Sequence, residues 1–385
     1  MGRIGEMADG RAAARAPLIA VPASPGAHAV IRPAAEAAAA LAEEWVALAA
    51  QASEPNAFAE HWFFAAALRS VPAGCDIRMI EARRGGRLIG LLPFEIVRFY
   101  ARLPVAVVQN WCPDHGFLGT PLVAAGEEEA FWTAALAALN EADLPANLVH
   151  LWRMAEDGPV VRALGGAIVH RRIRAFLQSD LAPAAYYEQA VRQKKRKELR
   201  RLRNRLADLG RVEARILDDG GQLDAWCDAF LALEQAGWKG REGSALACSA
   251  KGAAFFREVV AAAWEAGRLQ FRRLDLDGRP IAMLVNFLCP PGGFSFKTAF
   301  DESFSQYSPG VLLQIENLDL LERRDIAWMD SCAAQDHPMI DSLWTERRSI
   351  IRVTVPLKGW RRRIVWALCR ALEIASARLQ RGARL

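Results

Sequence analysis

The sequence contains no Cys-x-x-Cys pair. Its seven cysteines stand apart at positions 75, 112, 227, 248, 289, 332 and 369. Isolated and odd in number, they exclude a disulfide framework or a structural zinc site as the organising element, and they fit a reducing compartment. The six histidines show no metal-ligand spacing, so no metal is expected. Cys332 and His337, five residues apart, match no recognised thiol–base signature. A long apolar run is also missing. The longest uncharged stretch, Pro280 to Phe296, is broken by Pro290-Pro291-Gly292-Gly293. It reads as two strands and a turn, where a membrane span needs about 20 apolar residues. The N-terminus lacks the apolar core of a signal peptide, because Arg3, Glu6, Asp9, Arg11 and Arg15 interrupt it. These absences point to the cytoplasm.

The net charge is only +5, so the total selects no nucleic-acid partner and the placement of charge carries the information. Nine Lys or Arg residues fall among the fourteen from Arg192 to Arg205, opposed by Glu198 alone. The run is helical in pattern and fits an anionic partner: a polyanionic substrate, a tRNA or an anionic membrane surface. It has no interleaved aromatics for stacking single-stranded nucleic acid. The tail 357–385, which contains WRRRIVWALCRALEIASARLQRGARL, is a second basic amphipathic helix that suits a membrane surface or a docking groove on the protein.

With 385 residues, of which 52% are hydrophobic, the chain has room for about two domains. Residues 1–33, rich in Ala, Pro and Gly, read as a flexible leader. Helical periodicity covers 33–50, a stretch from about Asn56, 127–140, 186–209, 222–236 and 253–266. Hairpins are expected at EARRGGRLIGLLPFEI and at RLDLDGRPIAMLVNFL, each with a glycine-containing turn. Further strands are expected at LPVAVVQNW, 148–154, 212–217, GFSFKTAF, IAWMDSC and SIIRVTVPL. The order helices, hairpin, strand, helix, strand occurs twice. It gives an α+β chain of two tandem units, 34–175 and 176–356, with mixed sheets flanked by helices.

Between GFSFKTAF and the next helix stands Ser308-Pro309-Gly310. Ser suits an N-cap, Pro the first helical position, and Gly a close approach to the backbone. A strand–loop–helix junction of this kind offers unpaired amides to an anion. The segments GWKGREGSAL, FKTAFDESFSQYSPGVLL and DSLWTERRSI together resemble the GNAT-superfamily acetyltransferases of the CelD/BcsL type, linked to cellulose and exopolysaccharide biosynthesis and related to tandem-GNAT FemAB-like transferases. The resemblance covers about residues 40 to 356. It implies acyl-CoA as donor, with its diphosphate on the amides of Ser308, Gly310, Val311 and Leu312 beside Pro309, and its pantetheine along 293–300. Direct transfer to an amine or hydroxyl of a sugar-linked or cell-envelope precursor follows. The loop departs from the commonest GNAT pattern, since Gln306 is followed by Tyr-Ser-Pro-Gly. In the first unit PDHGFLGTPLV occupies the corresponding place, so one donor site is expected, in the second unit.

Direct transfer needs a base for the acceptor and a proton source for the leaving group. Asp301 and Glu302 at the end of one strand, Asp330 at the end of the next, and Glu234 at the end of the 222–236 helix are the candidate carboxylates; Tyr307 is the candidate proton donor. Lys297 interrupts an apolar strand and calls for a partner, which would be a phosphate, Glu234 or Asp330. Trp238, Lys239 and Gly240 offer an aromatic face and a cation for a sugar or nucleotide. The rival readings are a FemAB-like transferase that takes its acyl group from aminoacyl-tRNA, and a non-catalytic scaffold peripheral to the inner membrane.

Overall fold

The structure is a computed structural model that describes residues 26–72 and 74–382, without the side chains of 376–382. Residues 1–25 of the expected leader and the last three of the expected tail helix lie outside the described residues. The rest of the leader is ordered into a strand. In chain order the elements are β1 (Ala27–Pro33), α1 (Ala34–Ala40), α2 (Ala42–Ala50), α3 (His61–Ser70), β2 (Arg78–Arg84), β3 (Arg87–Val97), β4 (Val107–Asn110), β5 (Leu122–Val123), α4 (Glu128–Glu141), β6 (Leu148–Ala155), α5 (Pro159–Leu164) and β7 (Ala167–Leu177). There follow α6 (Pro183–Ala190), α7 (Gln193–Ala207), β8 (Val212–Ile216), α8 (Leu223–Ala236), α9 (Trp238–Arg241), α10 (Ala250–Glu265), β9 (Leu269–Leu276), β10 (Arg279–Cys289), β11 (Gly292–Phe300), α11 (Pro309–Glu316), β12 (Trp328–Asp330), β13 (Glu346–Pro356) and α12 (Trp360–Gly382).

The thirteen strands form one mixed sheet in the order β1-β2-β3-β4-β6-β13-β7-β12-β11-β10-β9-β8, with β5 paired to β3. Both expected hairpins form, β2–β3 around Gly85-Gly86 and β9–β10 around Asp277-Gly278. Asp277 and Gly278 both have positive φ, which is what a tight two-residue turn demands. The sequence does not read as a strand at β7, and the unit boundary expected at 175/176 falls inside it. β7 pairs with β13 on one side and β12 on the other, while β13 also pairs with β6. A strand late in the chain therefore lies between one of the first half and β7. Two expected helices are each broken in two: 33–50 at Leu41, whose φ/ψ of −111°/12° leaves the helical region, and 186–209 at Val191, which is extended.

Helices cover both faces. In the second half Phe230, Phe256, Val259 and Val260 of α8 and α10 pack with Met283, Val285 and Phe287 of β10. The opposite face carries Leu284 under Leu312 and Leu313 of α11 and Leu206 of α7. A buried amide chain ties α11 to that face: Asn286 donates to Gln270 at 2.8 Å and to Asn317 at 2.7 Å, and Asn317 donates to Gln314 at 3.3 Å. The halves meet through rings. Trp62 and Phe287 have centroids 5.0 Å apart, and Phe58 and Phe294 5.2 Å apart, both edge to face.

Ile351 on β13 is fully buried in the core shared by α4, β6 and β13. Ile351→Ala should cost about 2–5 kcal/mol by urea denaturation. Because β13 lies between β6 and β7, fluorescence and far-UV circular dichroism should report the same midpoint. The exposed control Val46→Ala should stay within about 0.5 kcal/mol of the parent.

Candidate active site

The site is built on an irregularity in β11. Val285 pairs with Lys297 and Asn286 with Ser295, which leaves Phe296 as an extra residue. Cross-strand partners share a face. Val285 faces α8 and α10, so Lys297 does as well. In an unbroken strand, alternation from Phe294 would turn residue 297 to the α11 face; the bulge rotates it over. Both Phe296 and Lys297 thus point at α8.

There Lys297 meets Glu234, whose carboxylate is 3.7 Å from the amine; the two side chains are 10% and 1% exposed. Glu234 also accepts from Lys239 Nζ at 2.9 Å and from the Leu246 amide at 2.9 Å. Burial works against its charge, but the two lysines and the two hydrogen bonds outweigh it and hold the carboxyl below its usual range. For Lys297 burial dominates and Lys239 adds repulsion. Glu234 opposes both, and the amine comes down to about 8. A third group joins from the first half. His115, in the Pro113–Phe117 loop, stacks on Phe255 of α10 with centroids 5.3 Å apart. Burial, and then the charge of Lys297, lower it to about 4, so it is neutral at pH 7.

Beside this cluster the sheet opens. β12 pairs with β11 only over Gly292–Phe294, so on that side the edge from Ser295 to Phe300 has no strand partner. Its main-chain groups are available to an extended ligand. Leu233, Glu234, Gly237, Trp238, Lys239 and Thr298 line a small cleft at the end of this strand.

Of the expected site residues, the structure brings together Glu234, Lys297 and Lys239, with the half-exposed Trp238 at the rim. Gly240 packs so closely on the Gln235 carbonyl that a Cβ has no room, which gives this glycine a structural reason. The other candidates are placed differently. Asp301 accepts from the Ser303 amide at 3.0 Å, the Ser303 hydroxyl at 2.6 Å and Arg279 at 2.8 Å, so it caps the turn Glu302–Tyr307. Glu302 accepts from the Trp238 amide and from Arg241. Asp330 lies beside Phe294 as expected, but it is fully buried. It accepts from Arg174 at 2.6 Å, Arg348 at 3.3 Å and the Cys332 amide at 3.0 Å, a structural ion cluster and not a base. Tyr307 packs on the α11 face, under Arg205 of α7, with the sheet between it and Glu234. Cys332 is buried, and burial with the charge of Asp330 pushes its thiol well up, which removes it as a nucleophile.

The anion loop is the main correction. Ser308 adopts the left-handed conformation (φ 53°), and its side chain makes no cap. Its carbonyl accepts from the Val311 amide at 3.0 Å and the Leu312 amide at 3.1 Å, and its own amide donates to Ser305 at 3.0 Å. Pro309 has no N–H to give. Gly310 is buried, and a Cβ there would meet the Met339 sulfur at 3.4 Å and the Phe300 ring at 3.5 Å. Three of the four expected amides are thus consumed by the chain, and the fourth is covered, so this loop does not fit a diphosphate. His115 carried no sequence signal, because only the tertiary fold brings its loop to Lys297.

Residues 193–337 match the family described as acetyltransferase (GNAT) domain. No curated protein matches the chain in sequence. Among solved structures, FemX is similar over 86% of this chain and 98% of its own, at 12% identity and a TM-score of 0.56. The C-terminal DUF2156 domain of a putative lysylphosphatidylglycerol synthetase from Agrobacterium fabrum is similar over 87% of this chain and 96% of its own, at 11% identity and a TM-score of 0.50. The fold is the GNAT fold, shared with FemX over most of the chain, and residues 193–337 are the part that matches the acetyltransferase family.

The electrostatics of the cluster give a signed test. Removing the carboxylate with Glu234→Gln should shift the Lys297 titration below about 8, and removing the neighbouring cation with Lys239→Met should shift it above. Side-chain NMR of Lys297 reads both. An amine titrating near 10.4 in all three proteins contradicts the arrangement.

Proposed function

We propose that the chain transfers an acyl group to an amine or hydroxyl acceptor at the free edge of β11, with Lys297 as general base and Glu234 and Lys239 setting its basicity. The observation that carries this reading is a lysine buried against Glu234, which burial brings down to about 8, next to the stretch of β11 that lacks a strand neighbour on one side. A base with its pKa close to the working pH is the efficient choice. The edge amides from Ser295 to Phe300 would orient the acyl carbonyl, and Trp238 would offer its indole to the acceptor. Acyl-CoA is the donor implied by the acetyltransferase domain, and the resemblance to the CelD/BcsL type supports a sugar-linked or envelope acceptor of exopolysaccharide synthesis. Since the Ser308 loop is closed, the donor's phosphates would rest on cations of α7. Arg205, over the Tyr307 ring and without an ion pair among the described residues, is the first candidate.

A second reading has a specific observation behind it. The closed loop and the density of cations on α7 also suit a donor held by a long polyanion, as aminoacyl-tRNA would be. Thermal-shift titrations separate the two. Stabilisation by acetyl-CoA that Arg205→Glu weakens supports the first. No shift with acetyl-CoA, together with salt-sensitive binding of aminoacyl-tRNA, supports the second. In either case Lys297→Met should lower kcat/KM by about 10²–10⁴-fold with the fold intact. The parent's kcat/KM should rise with pH and level off above about 8, because only the neutral amine accepts a proton. A flat profile, or full activity in Lys297→Met, removes Lys297 from this role.

We further propose an anionic membrane surface as a partner of α12. One side of this helix is docked: Trp366 donates to Thr354 at 3.1 Å, and Cys369 is buried. The other side exposes Trp360, Ile364, Leu368 and Leu372 at four-residue spacing, with Arg361 and Arg363 exposed beside them. Apolar stripe and flanking cations match an interfacial helix. No helix among the described residues is long and apolar enough to cross a membrane. Co-sedimentation with phosphatidylglycerol vesicles should be lost in Leu368→Asp and reduced by salt; unchanged binding of that variant contradicts the assignment.

A further inference from the structure

Away from the lysine cluster, a cavity of about 240 Å³ opens where β6, β13 and β7 run side by side. Phe117, Arg153, Arg172, Arg174, Cys332 and Gln335 are among its lining residues. Arg352 belongs to the same group. It is opposite His170 and Ile350 is opposite Arg172, and residues 350 and 352 share a face of β13, so Arg352 and Arg172 do as well. The charges here are not balanced. Arg174 and Arg348 share one carboxylate, Asp330. Arg153, Arg172 and Arg352 form no ion pair among the described residues, and the nearby Glu156 is taken by Arg171 and Ser349. Among these five guanidinium groups the one ion-paired carboxylate is thus Asp330.

The buried Nε atoms and the crowding of like charge indicate that the cations await a ligand. Arg174 is only 7% exposed and lines the cavity, yet its Nε is buried without a partner, as is that of Arg348. Arg153 sits at φ 56° where the β6–β13 register shifts, a bulge that re-aims its side chain. Burial, and then the charges of Arg172 and Arg153, push the Arg352 guanidinium below its usual range, as expected of like charges gathered without a counterion. Gathering like charges at a partly buried site is costly, and an oxyanion that accepts from several guanidinium groups relieves that cost.

We propose that this cavity is a binding site for a phosphate group, borne by a small phosphorylated molecule or free in solution. Guanidinium forks match the oxygen geometry of phosphate, and the cavity leaves room for a compact body beyond it. The same arginines hold the loop that carries His115: Arg153 donates to the Gly116 carbonyl, and Arg174 donates to that of Phe117 at 2.9 Å. Occupancy would thus bear on the loop facing the lysine cluster.

Isothermal titration calorimetry in chloride buffer, with inorganic phosphate and with glucose 6-phosphate, tests the site in the full chain without any acyl donor, so its outcome is independent of the transfer reaction. Saturable binding of either probe that Arg172→Ala weakens by about tenfold or more, and that Arg257→Ala leaves unchanged, supports the site. Tighter binding of the sugar phosphate identifies a phosphorylated small molecule, and equal or weaker binding identifies free phosphate. Arg172 is exposed and Arg352 half-buried, so both alanine variants should fold, with circular dichroism as the check. No binding to the parent, or affinities in Arg172→Ala and Arg352→Ala equal to the parent's, overturns the proposal.

Discussion

One extra residue in one strand sets up the chemistry. The bulge at Phe296 turns Lys297 from the α11 face of the sheet to the α8 face, where Glu234 waits. Without that rotation the amine would face the buried amides of Gln314 and Asn317, with no carboxylate among them. With it, the cation is desolvated on an apolar wall, and its single anionic partner is already shared with Lys239. Burial against pairing then decides the outcome: burial prevails and the amine comes down to about 8, while the lysines prevail at Glu234 and keep it ionised. A weak base beside a fixed carboxylate is thus produced by a local change of strand register.

The two halves cooperate in a way that a simple tandem of domains does not require. β13 lies between β6 and β7, so the sheet is continuous. The ring contacts of Phe58, Trp62 and Phe63 with Phe287, Phe294 and Phe296 anchor the first half against the wall that holds Lys297. The Cys112–Phe117 loop contributes His115 from the first half. The site is divided between the halves, with Lys297 and the open edge in one half and the facing loop in the other.

Much of the fold was legible. The Asp277-Gly278 turn between apolar runs specifies a hairpin, and Phe255, Phe256, Val259 and Val260 specify the buried side of α10. β7 was not legible, because AIVHRRIRAFL carries its polar residues in an irregular pattern, with four consecutive exposed residues from His170 to Ile173. Lys297 was visible as a lysine in an apolar strand, and Glu234 as one of its possible partners. Asp301 and Asp330 looked equally suitable, since a carboxylate at a strand end reads the same whether it caps a turn, neutralises two arginines or takes a proton. The Ser308 loop misled for a related reason. Ser-Pro-Gly is a good helix start, but sequence does not reveal that Ser308 takes a left-handed turn and directs its own carbonyl at the amides behind it.

The proposed site of acyl transfer is the free edge of β11. The most direct measurement is a crystal structure of the protein with a non-hydrolysable acyl-CoA analogue or, for the polyanionic donor, an aminoacyl-RNA mimic. The account predicts the acyl carbonyl bonded to main-chain amides between Ser295 and Phe300, with the Lys297 amine facing the open side of the acyl carbon. An acyl group bound elsewhere, with Lys297 still sealed against Glu234 and remote from the ligand, would contradict it.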